Sequence, residues 1–240
     1  MTLLPTLNRT KLLTRFLQSV KDTETTTAGW VIVDKSDWME NLKAYEAIEM
    51  PKGWGYRLTN GVTMGDKIRE VWDEVLDVGT EWVNVLNDDH VIKTKHWDQK
   101  LLKKLDGTNF VTCNDGWMSP RKAAGATIFS MPLLKAVGIP IYPEGMKHLF
   151  IDDLWETIGK STGTWDIDHS VLIEHHNQLK LPQERDSTFY EVYGRNPDLT
   201  QHPQWKNDNA VYRQWLQENL LEAKNRVRTL RGQITIKYVS

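Results

Sequence analysis

A chain of 240 residues and 27.9 kDa can bury a core without staples, and a hydrophobic fraction of 40%, a charged fraction of 26% and a mean hydropathy of -0.52 exclude a disordered, collagen-like or coiled-coil protein. Thirty basic against 32 acidic residues leave a net charge of -2, so no global field draws the chain to nucleic acid or lipid. No apolar run approaches the roughly 20 residues of a membrane span, the opening MTLLPTLNRTKLL lacks the parts of a signal peptide, and the single Cys113 points to a reducing, cytoplasmic location.

In chain order, residues 3–6 read as a short strand ending near Pro5, and Asn8 as the cap of a helix carrying Leu12, Leu13, Phe16, Leu17 and Val20 at helical spacing. Residues 30–34 form a buried-type strand closing on Asp34, with Ser36 or Asp37 capping a second helix that runs to about Ile48. After Pro51-Lys52-Gly53 come a strand at 56–59 and a turn at Asn60-Gly61. Thr63 to Asp66 then read as a capping box, and Met64, Ile68, Val71, Trp72, Val75 and Leu76 share one face of the helix behind it. Residues 82–86 make a fourth strand that runs straight into Asn87-Asp88-Asp89-His90.

The second half is less regular. It holds a helix near 94–105, a strand at 109–113, a Gly/Pro-containing loop through Arg121, an apolar segment at 126–131 and a short helix to Val137. A helix at 149–158 precedes an alternating strand at 165–173 that ends in Glu174-His175-His176. Residues 177–207 are polar and proline-dotted, a lid or acceptor loop, and residues 209–230 form a last amphipathic helix with Val211, Trp215, Leu220, Val227 and Leu230. Strands separated by helices predict an α/β protein with a mostly parallel central sheet flanked by helices and a C-terminal helical extension, its ligands gathered at the carboxyl ends of the strands. Eleven tryptophans are the compositional oddity; such flat side chains fill cores or stack on sugar rings and bases.

The chain lacks a G-x-x-x-x-G-K-[ST] loop, a G-x-G-x-x-G after the first strand, a G-x-S-x-G elbow and an H-E-x-x-H pair, which argues against P-loop, dinucleotide, serine-hydrolase and zincin chemistry. What remains is a series of strand-end carboxylates and a late histidine pair. The adjacent Asp88 and Asp89 repel each other unless a cation or hydrogen-bond donors neutralise them, as in a Mg²⁺ or Mn²⁺ site that holds a diphosphate; an acidic surface turn fits the tetrapeptide equally. Asp34 suits a nucleobase or ribose contact, or a helix cap. His175 and His176 offer a nitrogen ligand, or a packed imidazole. Asp152 and Asp153 open a helix whose dipole favours their charge, so either caps the helix or serves as general base for a hydroxyl. Lys67 and Arg69 lie in early helical turns, where they meet phosphate or solvent.

In order and spacing, these motifs resemble the GT-A glycosyltransferases close to family 2, over about residues 3–176. The resemblance implies a GT-A, Rossmann-like catalytic domain at 1–176, with a nucleotide-sugar half at about 1–92 and an acceptor half at about 93–176. Residues 177–240 would pack on that domain as a loop and helix. In that family the first strand ends in a Pro-Thr-like segment beside the nucleobase, matched by Leu4-Pro5-Thr6-Leu7-Asn8-Arg9, so Pro5, Thr6 and Arg9 become donor-binding candidates with Asp34 and Asp88. Asn60-Gly61 and Gly65-Asp66-Lys67 resemble the diphosphate stretch, with Asp66-Lys67 standing where the family has Arg-Asn. Leu86 to His90 resembles the DXD region with Asn87 in the first acidic place, which assigns the metal, Mn²⁺ or Mg²⁺, to Asp89, and the late His175 would complete its shell. His148 to Trp155 resembles the acceptor-side Glu-Asp motif, with Asp152 in the Glu place and Asp153 as base; Trp117, Met131 and His148 fall on the acceptor side.

The implied activity is metal-dependent transfer, with inversion, from a nucleoside diphosphate sugar, a UDP-sugar above all, to a hydroxyl acceptor. Two other readings stay open. The tail residues Lys224, Arg226, Arg228, Arg231 and Lys237 suit a DNA backbone, hence sugar transfer to modified bases, or a solvated basic face. Asn87 and Asp66 suit a nucleotide- or sugar-binding module without catalysis.

Overall fold

The computed structural model describes residues 1–116, 126–176, 190 and 198–239, with side chains as far as residue 233 except at Leu199. Its centre is an eight-stranded sheet in the order β3-β2-β1-β4-β7-β6-β8-β5. Strands β1 (Thr2–Thr6), β2 (Gly29–Asp34), β3 (Trp54–Thr59) and β4 (Trp82–Val85) are parallel. β7 (Thr127–Ser130) runs antiparallel between β4 and β6 (Phe110–Asn114), and β8 (Trp165–His175) lies parallel to β6. The three-residue β5 (His90–Ile92) closes the far edge, antiparallel to β8. The mostly parallel α/β architecture expected from the alternating pattern is therefore present, with β5 and β7 as its reversed strands.

Helices α1 (Thr10–Asp22), α2 (Lys35–Glu40), α3 (Leu42–Glu46), α4 (Met64–Glu70) and α5 (Trp72–Asp77) belong to the first half. α6 (Trp97–Leu102), α7 (Met131–Val137), α8 (Ile151–Thr162) and the long α9 (Pro203–Val239) belong to the second. Both faces of the sheet are covered, which explains why its central strands read as continuous apolar runs. Leu3 packs in one core cluster with Ile32, Val83, Phe129, Trp155 and, from α9, Trp215 and Val227; its neighbour Leu4 packs in the other with Val31, Phe16, Leu17, Trp54 and Trp97. Successive side chains of a strand point to opposite faces, so β1 feeds both clusters. Trp30, Trp54, Trp97, Trp155 and Trp215 are buried, so these tryptophans fill the core.

Several local expectations are corrected. Asn8 caps nothing: it sits at φ +50°, its backbone N–H donates to Asp37 Oδ2 at 2.7 Å, and Arg9 opens α1 with no side-chain cap. Asp34, rather than Ser36 or Asp37, caps α2 by accepting from the Ser36 and Asp37 N–H groups at 2.9 and 3.2 Å. One helix to Ile48 becomes two, broken at Asn41, and the helix behind Met64 divides at Val71. α9 starts at Pro203, six residues before the expected Asn209. Thr63 caps α4 as read, with Asp66 N–H donating to Thr63 Oγ1 at 3.2 Å, but the Asp66 carboxylate answers the Thr63 hydroxyl and not its backbone N–H. No helix among the described residues is long and apolar enough to cross a membrane.

Trp155 packs edge to face against Phe110 and at a tilt against Phe129, and donates its indole N–H to the Ile141 carbonyl at 3.0 Å. Trp155→Ala removes this contact area and leaves a cavity, and is expected to cost about 3–5 kcal/mol in urea denaturation, with an unchanged fold by circular dichroism in the absence of urea.

Candidate active site

Three carboxyl strand ends meet at one rim of the sheet. Thr6, the last residue of β1, donates its hydroxyl to Asp88 Oδ2 at 2.7 Å, and Arg9 NH1 stands 3.5 Å from Asp88 Oδ1. From α4, Lys67 donates to the Thr6 carbonyl with its ammonium 1% exposed. Burial depresses the Lys67 ammonium, and the charges of Asp37, Asp34 and Asp88 act against that depression. Lys67 is therefore an internal cation among carboxylates, and it holds the end of β1 through the Thr6 carbonyl. Pro5 is buried within β1.

Burial pushes the Asp88 carboxyl up to about 6, against the opposing charge of Arg9. At Asp34, burial acts upward, but hydrogen bonds from Ser36 and Asp37 and the Lys67 charge hold the carboxyl below its usual range. Asp37, which the sequence offered only as a cap, is buried and accepts from Asn8 N–H, Tyr45 OH and Asn41 Nδ2 at 2.7, 2.7 and 2.9 Å. It fixes the β1–α1 turn beside Asp34.

The second group is built by strand register. The pairing of β5 with β8 sets His90 opposite His175, their rings 4.6 Å apart and edge to face. His176 N–H donates to the Asp89 carbonyl at 2.9 Å, and His175 N–H to the Asp115 carbonyl at 3.1 Å. These bonds bring His175 Nε2 to 3.4 Å from Asp89 Oδ1. Burial alone would raise Asp89 and lower His175; each overrides this for the other, so the carboxyl lies well below its usual range and the imidazole above.

Asp89, His90 and His175 offer ligand atoms within 4.8 Å of one another. The hydrogen bonds distinguish them. Asn87 N–H donates to His90 Nδ1 at 3.0 Å, and burial takes the His90 imidazole down to about 3, so the ring is neutral and its proton sits on Nε2. That buried Nε2–H has no partner among the described residues. His90 is thus a donor beside the group, and the buried Asp89 oxygen and the His175 nitrogen are the candidate ligand pair. One oxygen and one nitrogen fit a divalent ion, Mn²⁺ more readily than the strictly oxygen-seeking Mg²⁺.

The third group opens α8. Burial pushes the Asp152 carboxyl up to about 6, with the His175 charge pulling against it, whereas Asp153 is exposed. Successive residues of a helix point about 100° apart, and of the two it is the Asp152 carboxyl on which the His175 charge acts. His148 Nδ1 stands 3.1 Å from Met64 Sδ, and burial lowers its imidazole against the charges of Asp89 and Asp208. Met131 is 3% exposed and packs in the core; Trp117 lies outside the described residues. Of the basic tail, Arg226 pairs with Glu222, and Arg231 donates to the Thr162 and Gly163 carbonyls; the Lys237 side chain is outside the described set.

No protein-family model and no curated protein matches the sequence. Solved structures do match. TarS of S. aureus, residues 1–349 in complex with UDP, aligns over 72% of this chain and 58% of that one at 16% identity and a TM-score of 0.51. The mannosyltransferase PcManGT of Pyrobaculum calidifontis, in complex with GDP-Man and Mn²⁺, aligns over 95% and 72% at 11% identity and 0.51. Glucosyl-3-phosphoglycerate synthase of Mycobacterium tuberculosis, in complex with Mn²⁺, UDP and phosphoglyceric acid, aligns over 82% and 74% at 12% and 0.50. The chain spans little more than half of two of the TarS structures, 58% and 52%. At such identities the likeness is one of fold: the chain has the GT-A glycosyltransferase fold.

The tautomer argument separates two neighbours by calorimetry. Asp89→Ala is expected to abolish Mn²⁺ binding, while His90→Ala weakens it by about 10–100-fold; equal loss in both would make His90 a ligand.

Proposed function

We propose that the protein is a metal-dependent glycosyltransferase that moves a sugar from a nucleoside diphosphate sugar, a UDP-sugar first, to a hydroxyl acceptor with inversion, and that it works in the cytoplasm. The observation that carries this reading is the convergence of Asp89, His175 and Asp152, from the end of β4, the end of β8 and the start of α8, beside the strand ends that hold Thr6 and Asp34. Nucleotides and Mn²⁺ in the matching folds support it.

In this reading Asp34 accepts from the nucleoside, and Arg9, anchored on Asp88, faces the phosphates. A divalent ion held by Asp89 and His175 would neutralise charge on the diphosphate leaving group. Asp152 takes the acceptor proton. A carboxyl raised to about 6 is ionised at neutral pH yet more basic than a solvated one, which suits a general base. Displacement on the face opposite the leaving diphosphate then inverts the anomeric carbon.

Thermal unfolding with UDP, GDP, CDP, ADP and dTDP, each with and without Mn²⁺, tests the donor site. One diphosphate is expected to raise Tm by about 5–10 °C at 100 times its Kd, and only with metal. No shift with any of them overturns the reading.

Asp152→Asn is expected to keep nucleotide binding and lose about 10²–10⁴-fold in turnover, whereas Asp153→Asn stays active. In the parent protein, turnover of the donor rises with pH through about 6 as Asp152 ionises. Stability carries the opposite sign: a raised carboxyl stabilises the fold in its protonated form below about pH 4, and that contribution is lost as pH rises through about 6. Asp152→Asn should therefore be more stable than the parent at pH 7.5, by about 1–3 kcal/mol in urea.

A further inference from the structure

The segment between α7 and α8 carries His148 and leads into Asp152, and two distant helices hold it. From α4, Arg69 NH1 donates to the Pro143 and Met146 carbonyls at 2.7 and 3.0 Å, and Gly65 N–H donates to the Lys147 carbonyl at 2.8 Å. A Cβ on Gly65 would meet the Met146 carbonyl oxygen at 2.1 Å, so that approach is open only to glycine.

From the other side comes Asp208 in the first turns of α9. Its carboxylate accepts from three successive backbone N–H groups: Lys147 at 3.0 Å on Oδ1, and His148 at 3.0 Å and Leu149 at 2.8 Å on Oδ2. Asn207 adds a bond from Nδ2 to the Gly145 carbonyl at 3.0 Å and another to Asp208 Oδ1 at 2.9 Å. Asp208 is fully buried, and these N–H groups donate to its carboxylate. A carboxylate buried on amide dipoles fixes the peptide planes that face it, because any rotation leaves a desolvated charge short of a donor. Next to it, Phe150 stands at φ +64°, with its ring against Tyr212 and Trp205 of α9. Tyr212 OH also lies 3.1 Å from Thr157 Oγ1 on α8.

We propose that Asp208 is a positioning residue for transfer: through the backbone of residues 147–149 it sets His148 and the entry of α8, and so aims Asp152 at the centre formed by Asp89 and His175. This rests on the glycosyltransferase reading given above. α9 is then a working part of the acceptor half, and its role is separable from donor binding, since its contacts run to the 145–149 segment and to α7 and α8, away from Thr6, Asp34 and Asp88.

Asp98 provides an internal control. It is also fully buried and accepts three hydrogen bonds, from Thr26 N–H, Thr26 Oγ1 and Thr27 N–H at 2.8, 2.8 and 2.9 Å, on a part of the fold the site does not use. Asp208→Asn and Asp98→Asn are compared in the full chain by amide exchange of residues 147–149, by the Kd of UDP (or of the diphosphate that shifts Tm) with Mn²⁺, and by hydrolysis of the matching nucleotide sugar at saturation. Asp208→Asn is expected to lose protection at 147–149 and at least about 10-fold in turnover, with Kd changed by no more than about twofold. Asp98→Asn lowers Tm but keeps turnover.

Unchanged protection at 147–149, unchanged turnover, a Kd that weakens in step with turnover, or an equal loss in Asp98→Asn each overturns the proposal. If the parent binds no diphosphate with Mn²⁺, the glycosyltransferase reading fails instead, and the exchange measurement still decides whether Asp208 orders the segment.

Discussion

The rim at the carboxyl ends of β1, β2 and β4 depends on one buried ammonium. Asp34, Asp37 and Asp88 crowd the carboxyl ends of β1, β2 and β4, and like charges so placed repel strongly wherever water is excluded. Lys67 sits among all three and hydrogen-bonds the Thr6 carbonyl, so α4 neutralises the rim and pins the end of β1 with one side chain. Thr6, thus fixed, donates to Asp88, and Arg9 approaches the other oxygen of the same carboxylate. Removing the ammonium would leave buried carboxylates short of a counter-charge, a larger loss than that of the hydrogen bond itself. The same helix holds the far half of the site through Gly65 and Arg69, so a change at α4 is felt on both sides of the cleft.

The Asp89–His175 end rests on register instead of charge. β5 is three residues long and contributes little energy by itself, yet its antiparallel pairing decides that His175 meets Asp89. A slip of one residue would turn every side chain of the pair to the other face and put Glu174 or His176 in that place. The two backbone bonds on either side, His176 N–H to Asp89 and His175 N–H to Asp115, guard against that slip. Precision here is a property of main-chain pairing, which substitutions of neighbouring side chains leave largely intact.

What was legible in the sequence follows from how far each signal reaches. β1, β2 and β4 are short apolar runs buried on both faces, and the helices between them show one apolar stripe each, so the architecture could be read from periodicity. β5 could not, because three residues carry no period. Asp34 was visible as a strand-end acid, but whether it caps α2 depended on where the chain turned, and Ser36 and Asp37 carried the same local signal. Lys67 lies near Arg69 in a helix with a polar side, and nothing local says that its ammonium turns inwards to meet three acids from other segments. Asp208 is hidden for a similar reason: residues 203–208 are polar and open with a proline, which reads as loop, and only the tertiary partners at 147–149 explain a buried acid there.

The site divides chemically identical neighbours into opposite states. Asp88 is pushed up to about 6 while Asp89 is held well below the usual range; His90 is neutral while His175 favours its proton; Asp152 is buried and basic while Asp153 is exposed. In each pair the division comes from packing against other segments. Asp89 gains the imidazole across the β5–β8 pairing, whereas at Asp88 the cost of burial outweighs the opposing Arg9 charge. His90 spends its lone pair on Asn87, and His175 keeps its Nε2 for the carboxylate. Pairs of titratable groups pushed apart in this way are how a fold assigns acid, base and ligand roles near neutral pH, and a motif of adjacent acids states that the roles exist without saying which residue holds each one.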